Sequence, residues 1–493
     1  MKLLTAFLLP CVLSAAGLPE SIQKLLDSSP SARTAFWGIQ ILDLSTGKTL
    51  YELNPDHYFV PASNAKLFTT ALALTRLGPD FTFQTRVLAP AAPDSSGRLR
   101  GPLRLYGGGD PNLSARAVPY RLGPVTGNPL AAIQDLADQL LARGVKFVDG
   151  DIVGDDTWYL WQPYATGWAI DDPQSDDGPP ISALTLSDNA LTLSVRPGAA
   201  AGDPAALSFS PSSEFYRIEN RVRTVPVGAE RLIQFRRIPG SRDAVLFGTI
   251  PLRDRATDLN ISVEDPALFA AQSLRTALQQ RGVNVTGAAT SEHLYPSDVA
   301  DLAQASDPPA PTGVELARHT SAPLLEDLRI IAKVSQNLHA ELALRAVGRA
   351  RRNLGSFQAG MAEMKTFLAE AAIDPAAYNL LDGSGLSRLD LVTPGTVVKL
   401  LRYMFDSPNR ENWIFILPIG AQDGTLSSRF GGTAAAGRVH AKTGSLSHVS
   451  ALSGYIQRPD NSWVAFSILV NNYGGPGTDV RGVMDRICTL ILE

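Results

Sequence analysis

Apolar and polar residues follow one another along the first part of the chain in a pattern that predicts a hairpin and then a helix. Apolar positions fit a short amphipathic helix at 18–26, a strand at 35–44 and, after a Ser-Thr-Gly-Lys turn, a second strand near 49–52. A helix is predicted to begin near Ser63 and to end at Leu77, because Gly78 is a suitable helix stop. This order of elements predicts an α+β fold.

The middle of the chain is predicted to be rich in β-strands. From Pro79 onward, short apolar runs are separated by Gly, Pro and Asp, which favour turns. Helices are predicted at 130–143, where apolar residues recur with a period of 3.6, and at 266–282. The predicted strands lie at 82–89, 101–106, 151–153, 184–195, 206–209, 224–227, 231–235, 244–250 and 287–294.

The last third is predicted to be helical first and then β again. It follows a Pro-rich run at 306–311, which is the clearest linker-like segment. The final helix lacks the basic face of a membrane-surface helix, so we expect it to pack in the core. The predicted helices lie at 324–334, 338–353, 357–372, 393–405 and 478–492, and the predicted strands at 438–443, 451–457 and 463–470.

Length and composition limit the class of protein. A chain of 493 residues is too long for one ordinary core, so two or three domains are expected. The net charge of −4 and the pI near 5.9 argue against a general binder of nucleic acid or anionic membranes.

The N-terminus has the pattern of a cleavable secretory signal peptide. Met1 and Lys2 precede an apolar run at 3–13 and small residues at 14–17, with cleavage expected after Ala16. Lipidation of Cys11 is not expected, because Leu and Pro rather than small residues precede it. After cleavage only Cys488 remains, which excludes an internal disulfide. No second apolar run approaches about 18 residues, so we expect a soluble protein outside the cytoplasm with no stable membrane anchor.

Ser63 and Lys66 are the first candidates for nucleophilic chemistry. Residues three apart lie on one face of a helix, and a neutral lysine amine can remove the proton of a serine hydroxyl. The pKa of Lys66 must then fall from about 10.4 towards neutrality, which burial and nearby cations bring about. Ser-x-x-Lys alone is a weak signal, since Ser21 and Lys24 form a second copy that we interpret as a decoy on a solvated helix face.

A second candidate element is Ser335-Gln336-Asn337, which falls between two predicted helices. There the serine hydroxyl could relay protons to and from Lys66, and the asparagine amide could bind a substrate amide. Ser187-Asp188-Asn189 is a better textual match for a Ser-x-Asn motif of this kind. We interpret it as a turn ahead of a strand, because a strand of another domain is a poor place to meet the Ser63 helix.

The third element, Lys442-Thr443-Gly444, lies in an extended apolar context. Lys442 and Thr443 could hold a carboxylate by charge and hydroxyl, and Gly444 would let a substrate backbone approach closely. The N–H groups of Ser63 and Ser445 could form an oxyanion hole, which is usually the largest electrostatic contribution to acyl transfer.

In this order the three elements form the active-serine set of penicillin-binding proteins and serine β-lactamases. The long stretch between the first and the second resembles the D-alanyl-D-alanine carboxypeptidase family that includes penicillin-binding protein 4 (peptidase family S13). Further segments similar to that family are spread over most of the chain, at 61–63, 77–81, 109–111, 382–387, 423–426 and 441–446.

The resemblance implies a penicillin-binding, serine β-lactamase-like fold: an α/β sandwich whose five-stranded sheet carries the Lys442 strand, with two nested β-rich insertions. The domains expected on this basis are a signal peptide at 1–16, a peptidase domain at 17–82 and 301–493, an outer insertion at 83–186 and 259–300, and an inner insertion at 187–258.

One substrate contact follows from the resemblance alone. A Gly-Trp-x-x-x-Asp stretch of the family supplies an aspartate that contacts the side-chain end of the stem-peptide diamino acid, and residues 167–172 are similar to it. This assigns that contact to Asp172. The alternative that stays open is a solvated acidic loop made of Asp171, Asp172, Asp176 and Asp177. The 382–387 loop is expected to be structural support.

The function implied is that of a periplasmic or extracytoplasmic serine DD-peptidase acting on peptidoglycan stem peptides. Lys66 would deprotonate Ser63, Ser335 would pass the proton to the leaving amine, and Lys442 and Thr443 would hold the terminal carboxylate. No metal or organic cofactor is expected, and β-lactams should acylate Ser63. The alternatives are a β-lactamase or esterase of the same fold, or a catalytically idle wall-binding scaffold. Carboxypeptidase versus endopeptidase activity and the oligomeric state stay open.

Overall fold

The computed structural model describes residues 17–238, 240–305 and 311–492. The predicted signal peptide and residues 306–310 of the predicted linker lie outside this part of the chain. In order along it, helices α1–α11 are Leu18–Ser28, Pro30–Thr34, Lys66–Leu77, Ala131–Ala142, Pro266–Gln280, Leu324–Arg329, Asn337–Arg352, Phe357–Glu370, Pro394–Phe405, Arg410–Ile416 and Gly477–Leu490. Strands β1–β21 are Phe36–Asp43, Thr49–Leu53, Gln84–Ala89, Arg98–Arg100, Leu103–Tyr106, Phe147–Asp149, Ile152–Leu160, Ala190–Arg196, Ala206–Ser210, Arg217–Val225, Leu232–Arg237, Asp243–Pro251, Thr257–Ser262, Asn284–Val285, Ala289–Leu294, Val314–Thr320, Tyr378–Asn379, Leu391–Val392, Val439–Leu446, Val449–Gln457 and Trp463–Asn471.

The two ends of the chain build one antiparallel sheet in the order β19-β20-β21-β1-β2. On one face, α1 and α11 pack together over a core that includes Ile39, Phe466 and Ile487. On the other face, α9 contacts β1, β20 and β21, and α3, α7 and α8 extend a larger core around Phe68 and Phe367. Helices therefore cover both faces, which confirms the predicted α+β class.

Four further sheets lie between α3 and α6 in the chain. They are a five-stranded mixed sheet β15-β7-β5-β3-β16, a parallel sheet β14-β6-β4, an antiparallel sheet β13-β8-β9 and a mixed sheet β10-β12-β11. Strand β16 belongs to the segment we assigned to the peptidase domain, yet it pairs with β3 of the outer insertion. Strand β13 crosses the expected boundary at 258/259 and pairs with β8. The domain boundaries stay a prediction.

Among the elements that differ from those predicted are β8, β10 and the segment after α6. Strand β8 begins at Ala190 rather than 184, because residues 187–189 form a left-handed turn. The strand predicted at 224–227 is only the end of β10. The earlier part of β10 was missed because charged residues alternate along it and only one face of the strand is buried. The helix predicted at 324–334 changes after α6 into a π-helical turn, Ile330–Val334. No helix among the described residues is both long and apolar enough to cross a membrane.

Candidate active site

Ser63 lies on a short 3₁₀ turn, Ala62–Ala65, that leads directly into α3. The turn replaces the first α-helical turn predicted from the sequence, and its tighter winding aligns residues three apart. As a result Lys66, the first residue of α3, donates a hydrogen bond from Nζ to Ser63 Oγ at 2.9 Å. The predicted pair is in contact.

Lys66 is fully buried and surrounded by acceptors. Its Nζ also donates to Asn337 Oδ1 at 2.6 Å and to the carbonyl of Ser384 at 2.6 Å. Burial lowers the pKa of Lys66 to about 8, although the negative charges of Asp382 and Glu341 oppose this shift. At neutral pH a useful fraction of the amine is therefore unprotonated and able to act as a base towards Ser63.

Ser335 and Lys442 form a second pair of a hydroxyl and a buried amine. Ser335 follows the π-helical turn with a φ of 68°, which turns the chain before α7 begins at Asn337. Lys442 Nζ donates to Ser335 Oγ at 2.8 Å and to the carbonyl of Thr443 at 2.8 Å. Burial, together with the nearby charge of Lys66, holds the pKa of Lys442 well below its ordinary value.

The edge strand β19 brings the third element against Ser63. A Cβ atom on Gly444 would lie 2.7 Å from the carbonyl oxygen of Pro61 and 3.1 Å from the Ser63 nitrogen, so only glycine fits here without a shift. Thr443 Oγ1 donates to Thr425 Oγ1 at 2.8 Å, and the next residue, Ser445, is exposed. The outer edge of β19 thus passes Ser63 with little side-chain bulk.

The acidic loop after Trp168 lies close to the same cleft. Asn337 donates from Nδ2 to the carbonyl of Asp177 at 2.7 Å, so the loop contacts the amide that also binds Lys66. Asp172 is half-buried, and its Oδ2 accepts a hydrogen bond from its own turn, from the Ala169 nitrogen at 2.7 Å. Its contact with a substrate stays a prediction.

The loop at 382–387 is held in place by hydrogen bonds next to Lys66. The carboxylate of Asp382 accepts from the backbone nitrogens of Ser384, Gly385 and Ser387 at 2.6–3.0 Å and from Trp168 Nε1 at 2.9 Å. This geometry aims the Ser384 carbonyl at Lys66. Sequence reasoning missed that contact, because a backbone carbonyl carries no side-chain signal.

Two sequence matches set aside above have different outcomes. Ser21 and Lys24 lie on α1, which packs against α11 and not against the cleft. Our interpretation of Ser187-Asp188-Asn189 as a turn ahead of a strand is confirmed, because these residues directly precede β8, but the turn lies closer to the site than we expected. Asp188 lies 3.3 Å from His339 Nε2 and accepts a hydrogen bond from Gln336 at 3.4 Å, directly beside the Ser335 element.

Comparisons with known proteins agree over almost the whole chain. The family model described as "D-Ala-D-Ala carboxypeptidase 3 (S13) family" matches residues 18–490. The D-alanyl-D-alanine carboxypeptidase of Actinomadura sp. (strain R39) is 34% identical over 500 residues, covering 98% of this chain and 87% of that protein. The D-alanyl-D-alanine carboxypeptidase DacB of Haemophilus influenzae is 25% identical over 435 residues, covering 87% and 84% of the two chains.

A solved structure gives independent support for the fold. The crystal structure of penicillin binding protein 4 (dacB) from Haemophilus influenzae matches with a TM-score of 0.79 at 23% identity, covering 95% of this chain and 98% of that one. This likeness confirms the predicted penicillin-binding fold. Because the family model spans nearly all of the described residues, the chain belongs to the D-Ala-D-Ala carboxypeptidase 3 (S13) family and is a hydrolase of the D-Ala-D-Ala carboxypeptidase type.

Proposed function

We propose that the protein is a serine DD-peptidase that hydrolyses D-Ala-D-Ala-type bonds of peptidoglycan stem peptides through an acyl-enzyme on Ser63. The observation that carries the proposal is the pairing of each hydroxyl with a buried amine of depressed pKa: Ser63 with Lys66, and Ser335 with Lys442. Nucleophilic serine chemistry needs a base at hydrogen-bond distance, and this site holds one.

Acylation begins when neutral Lys66 takes the proton of the Ser63 hydroxyl. The Oγ–carbon bond forms, and negative charge on the carbonyl oxygen is stabilised by the backbone N–H groups of Ser63 and Ser445. The carbon–nitrogen bond then breaks while Ser335 gives its hydroxyl proton to the leaving amine and takes up the proton that Lys66 holds, which leaves Lys66 neutral for the second half of the reaction. Water attacks the ester in the second half, with Lys66 again taking a proton, and releases the acid and free Ser63.

The edge of β19 supplies substrate binding. An extended peptide can pair with an open strand edge through its backbone, and Gly444 leaves room for it beside Ser63. Lys442 and Thr443 would hold the terminal carboxylate of the substrate, Asn337 its amide, and Asp172 the far end of the stem-peptide side chain. Asn337 Nδ2 has a second N–H besides the one that it donates to the carbonyl of Asp177.

The cellular setting is also a proposal. The apolar N-terminal run supports secretion through a cleavable signal peptide and action outside the cytoplasm, where peptidoglycan lies. β-Lactams are the expected inhibitors, because they would acylate Ser63 in place of the peptide. The three-domain division at 17–82 with 301–493, 83–186 with 259–300, and 187–258 belongs to the same proposal.

The test is to incubate the mature protein with a penicillin and to follow intact mass and drug concentration over time. A lasting adduct on the wild type and on the decoy variant Ser21→Ala, but not on Ser63→Ala, is the expected result. Rapid consumption of the drug without an adduct would replace the proposal with a β-lactamase. The absence of both would leave an idle scaffold.

A further inference from the structure

The turn at 187–189 has a backbone conformation that ordinary residues rarely adopt. Ser187, Asp188 and Asn189 have successive φ values of 54°, 54° and 53°, in the left-handed region. Hydrogen bonds fix it from both sides: the Ser187 nitrogen donates to the Leu113 carbonyl at 2.8 Å, and Asn189 Nδ2 donates to the Pro180 carbonyl at 2.8 Å. Three non-glycine residues held in this region invite a functional explanation.

The turn aims the Asp188 carboxylate out of the insertion and towards the start of α7. Its Oδ2 accepts hydrogen bonds from Arg116 Nε at 2.8 Å and from Gln336 Nε2 at 3.4 Å, and its Oδ1 lies 3.3 Å from His339 Nε2. The other ring nitrogen of His339, Nδ1, lies 2.7 Å from Asp327 Oδ1 on α6. One imidazole thus connects two carboxylates from separate parts of the fold.

A fully buried ring between two carboxylates is stable when both of its nitrogens carry protons. Burial opposes the charge, but Asp327 and Asp188 together raise the pKa of His339 to about 9. The charged groups that face this ring are Asp188, Asp327 and, more distantly, Asp110, while Arg116 shares the Asp188 carboxylate. At neutral pH the imidazolium therefore links α6, α7 and the insertion.

This link reaches the second catalytic element within one helical turn. Gln336 is the N-cap of α7, where its Oε1 accepts from the Leu338 nitrogen at 2.9 Å, and it stands between Ser335 and Asn337 in the chain. We propose that Asp188 is a positioning residue that holds Ser335 and Asn337 in place from the insertion, through Gln336 and His339. The inference rests on the roles proposed above for Ser335 and Asn337.

The proposal predicts a pH-dependent defect when the Asp188 charge is removed. Asn tolerates the left-handed region as well as Asp does, so Asp188→Asn leaves the turn possible. His339 then loses one of its two countercharges and its pKa falls. Above the lower pKa, the ring keeps a single N–H for Asp327, and the ion pair between the imidazolium and residue 188 is lost.

The experiment measures the second-order rate of acylation by a fluorescent penicillin between pH 6 and pH 9.5. The proteins are the wild type, Asp188→Asn and the control Asp203→Asn, whose carboxylate accepts a local backbone hydrogen bond from Ala200. We expect Asp188→Asn to be slower by roughly ten- to a hundred-fold, the range for a small misplacement of a catalytic group. The acylation rate of Asp188→Asn should also begin to fall at a lower alkaline pH than that of the wild type. The control Asp203→Asn should behave like the wild type.

Three results separate the possibilities. The inference is overturned if Asp188→Asn acylates like the wild type at every pH, or if its rate falls by one pH-independent factor that matches a loss of folded protein. If Asp188→Asn does not fold, it is replaced by His339→Gln and by the double mutant His339→Gln/Asp188→Glu. Both variants should acylate more slowly than the wild type, and the fall of the rate at alkaline pH should lie at the same pH in the two, which would support the link. A wild-type rate in His339→Gln overturns it. Failure of the wild type itself to form an adduct would instead refute the proposed function.

Discussion

The depressed pKa of Lys66 makes a direct prediction for the pH dependence of acylation. The amine acts as a base only when neutral, so the rate should rise with pH through a midpoint near the pKa of about 8. About one-tenth of the enzyme has a neutral Lys66 at pH 7 and about half at pH 8, which predicts a rise of about five-fold over that interval. A lysine with an ordinary pKa would leave about 300-fold less neutral amine at pH 7.

The assay is the rate of fluorescent-penicillin labelling from pH 6 to pH 8.5, with Ser63→Ala as the blank. Two acidic variants identify the titrating group. The carboxylate of Asp177 raises the pKa of Lys66, so Asp177→Asn should move the midpoint to lower pH. Asp171→Asn removes another exposed carboxylate of the same loop, six residues away in the chain from the Asp177 carbonyl that contacts Asn337, and should move the midpoint less.

Two outcomes would refute this reasoning. A rate that is flat or falling between pH 7 and pH 8 would mean that Lys66 is not the base in the rate-limiting step. A midpoint that responds equally to both aspartate variants would mean that the titrating group is another one, such as Lys442.

The remaining predictions concern packing and accessibility. Gly444→Val should lower the acylation rate by roughly a hundred-fold in folded protein, because its side chain would collide with the Pro61 carbonyl and displace β19 from Ser63; labelling kinetics measure this. Tyr455→Phe should lower the free energy of unfolding by about 1–3 kcal/mol, because it leaves the buried Trp413 Nε1, now 2.7 Å from the hydroxyl, without an acceptor; denaturant titration measures this. Cys488 is buried and burial raises its thiol pKa, so a thiol reagent should label it only after unfolding, and labelling of native protein would contradict the structure.

The sequence was most informative where chemistry depends on side-chain type and spacing. The spacing within each pair predicts how its members lie relative to each other. Ser63 and Lys66 are three residues apart on a helical turn, and Lys442 and Gly444 are two residues apart along a strand. The structure brings these residues and Ser335 into one cleft. The central sheet was equally accessible, because β1, β20 and β21 are short, largely apolar runs near the two ends of the chain.

The sequence did not predict the contacts that backbone groups make or the unusual backbone conformation at 187–189. The carbonyls of Ser384 and Asp177 contact Lys66 and Asn337, but any residue type supplies a carbonyl. The position of Asp188 was misjudged for a related reason. Asp and Asn enter the left-handed region more readily than other non-glycine residues, but their presence does not predict three such residues in a row, and without that turn the alternation of β8 would begin earlier.

The same burial that prepares Lys66 for catalysis destabilises the fold. Lowering its pKa from 10.5 to about 8 corresponds to about 3 kcal/mol of disfavoured protonation in the folded state. Since the unfolded chain binds the proton more tightly, this cost is full below pH 8 and disappears as the pH rises towards 10.5. The carboxylates of Asp382, Glu341 and Asp390 each oppose the shift, and without them the pKa would be lower still and the cost larger. These buried acids therefore limit both the depression of the Lys66 pKa and its cost to stability, and the hydrogen bond from the Gly383 nitrogen to Glu341 at 2.8 Å connects the loop that carries Asp382 to α7.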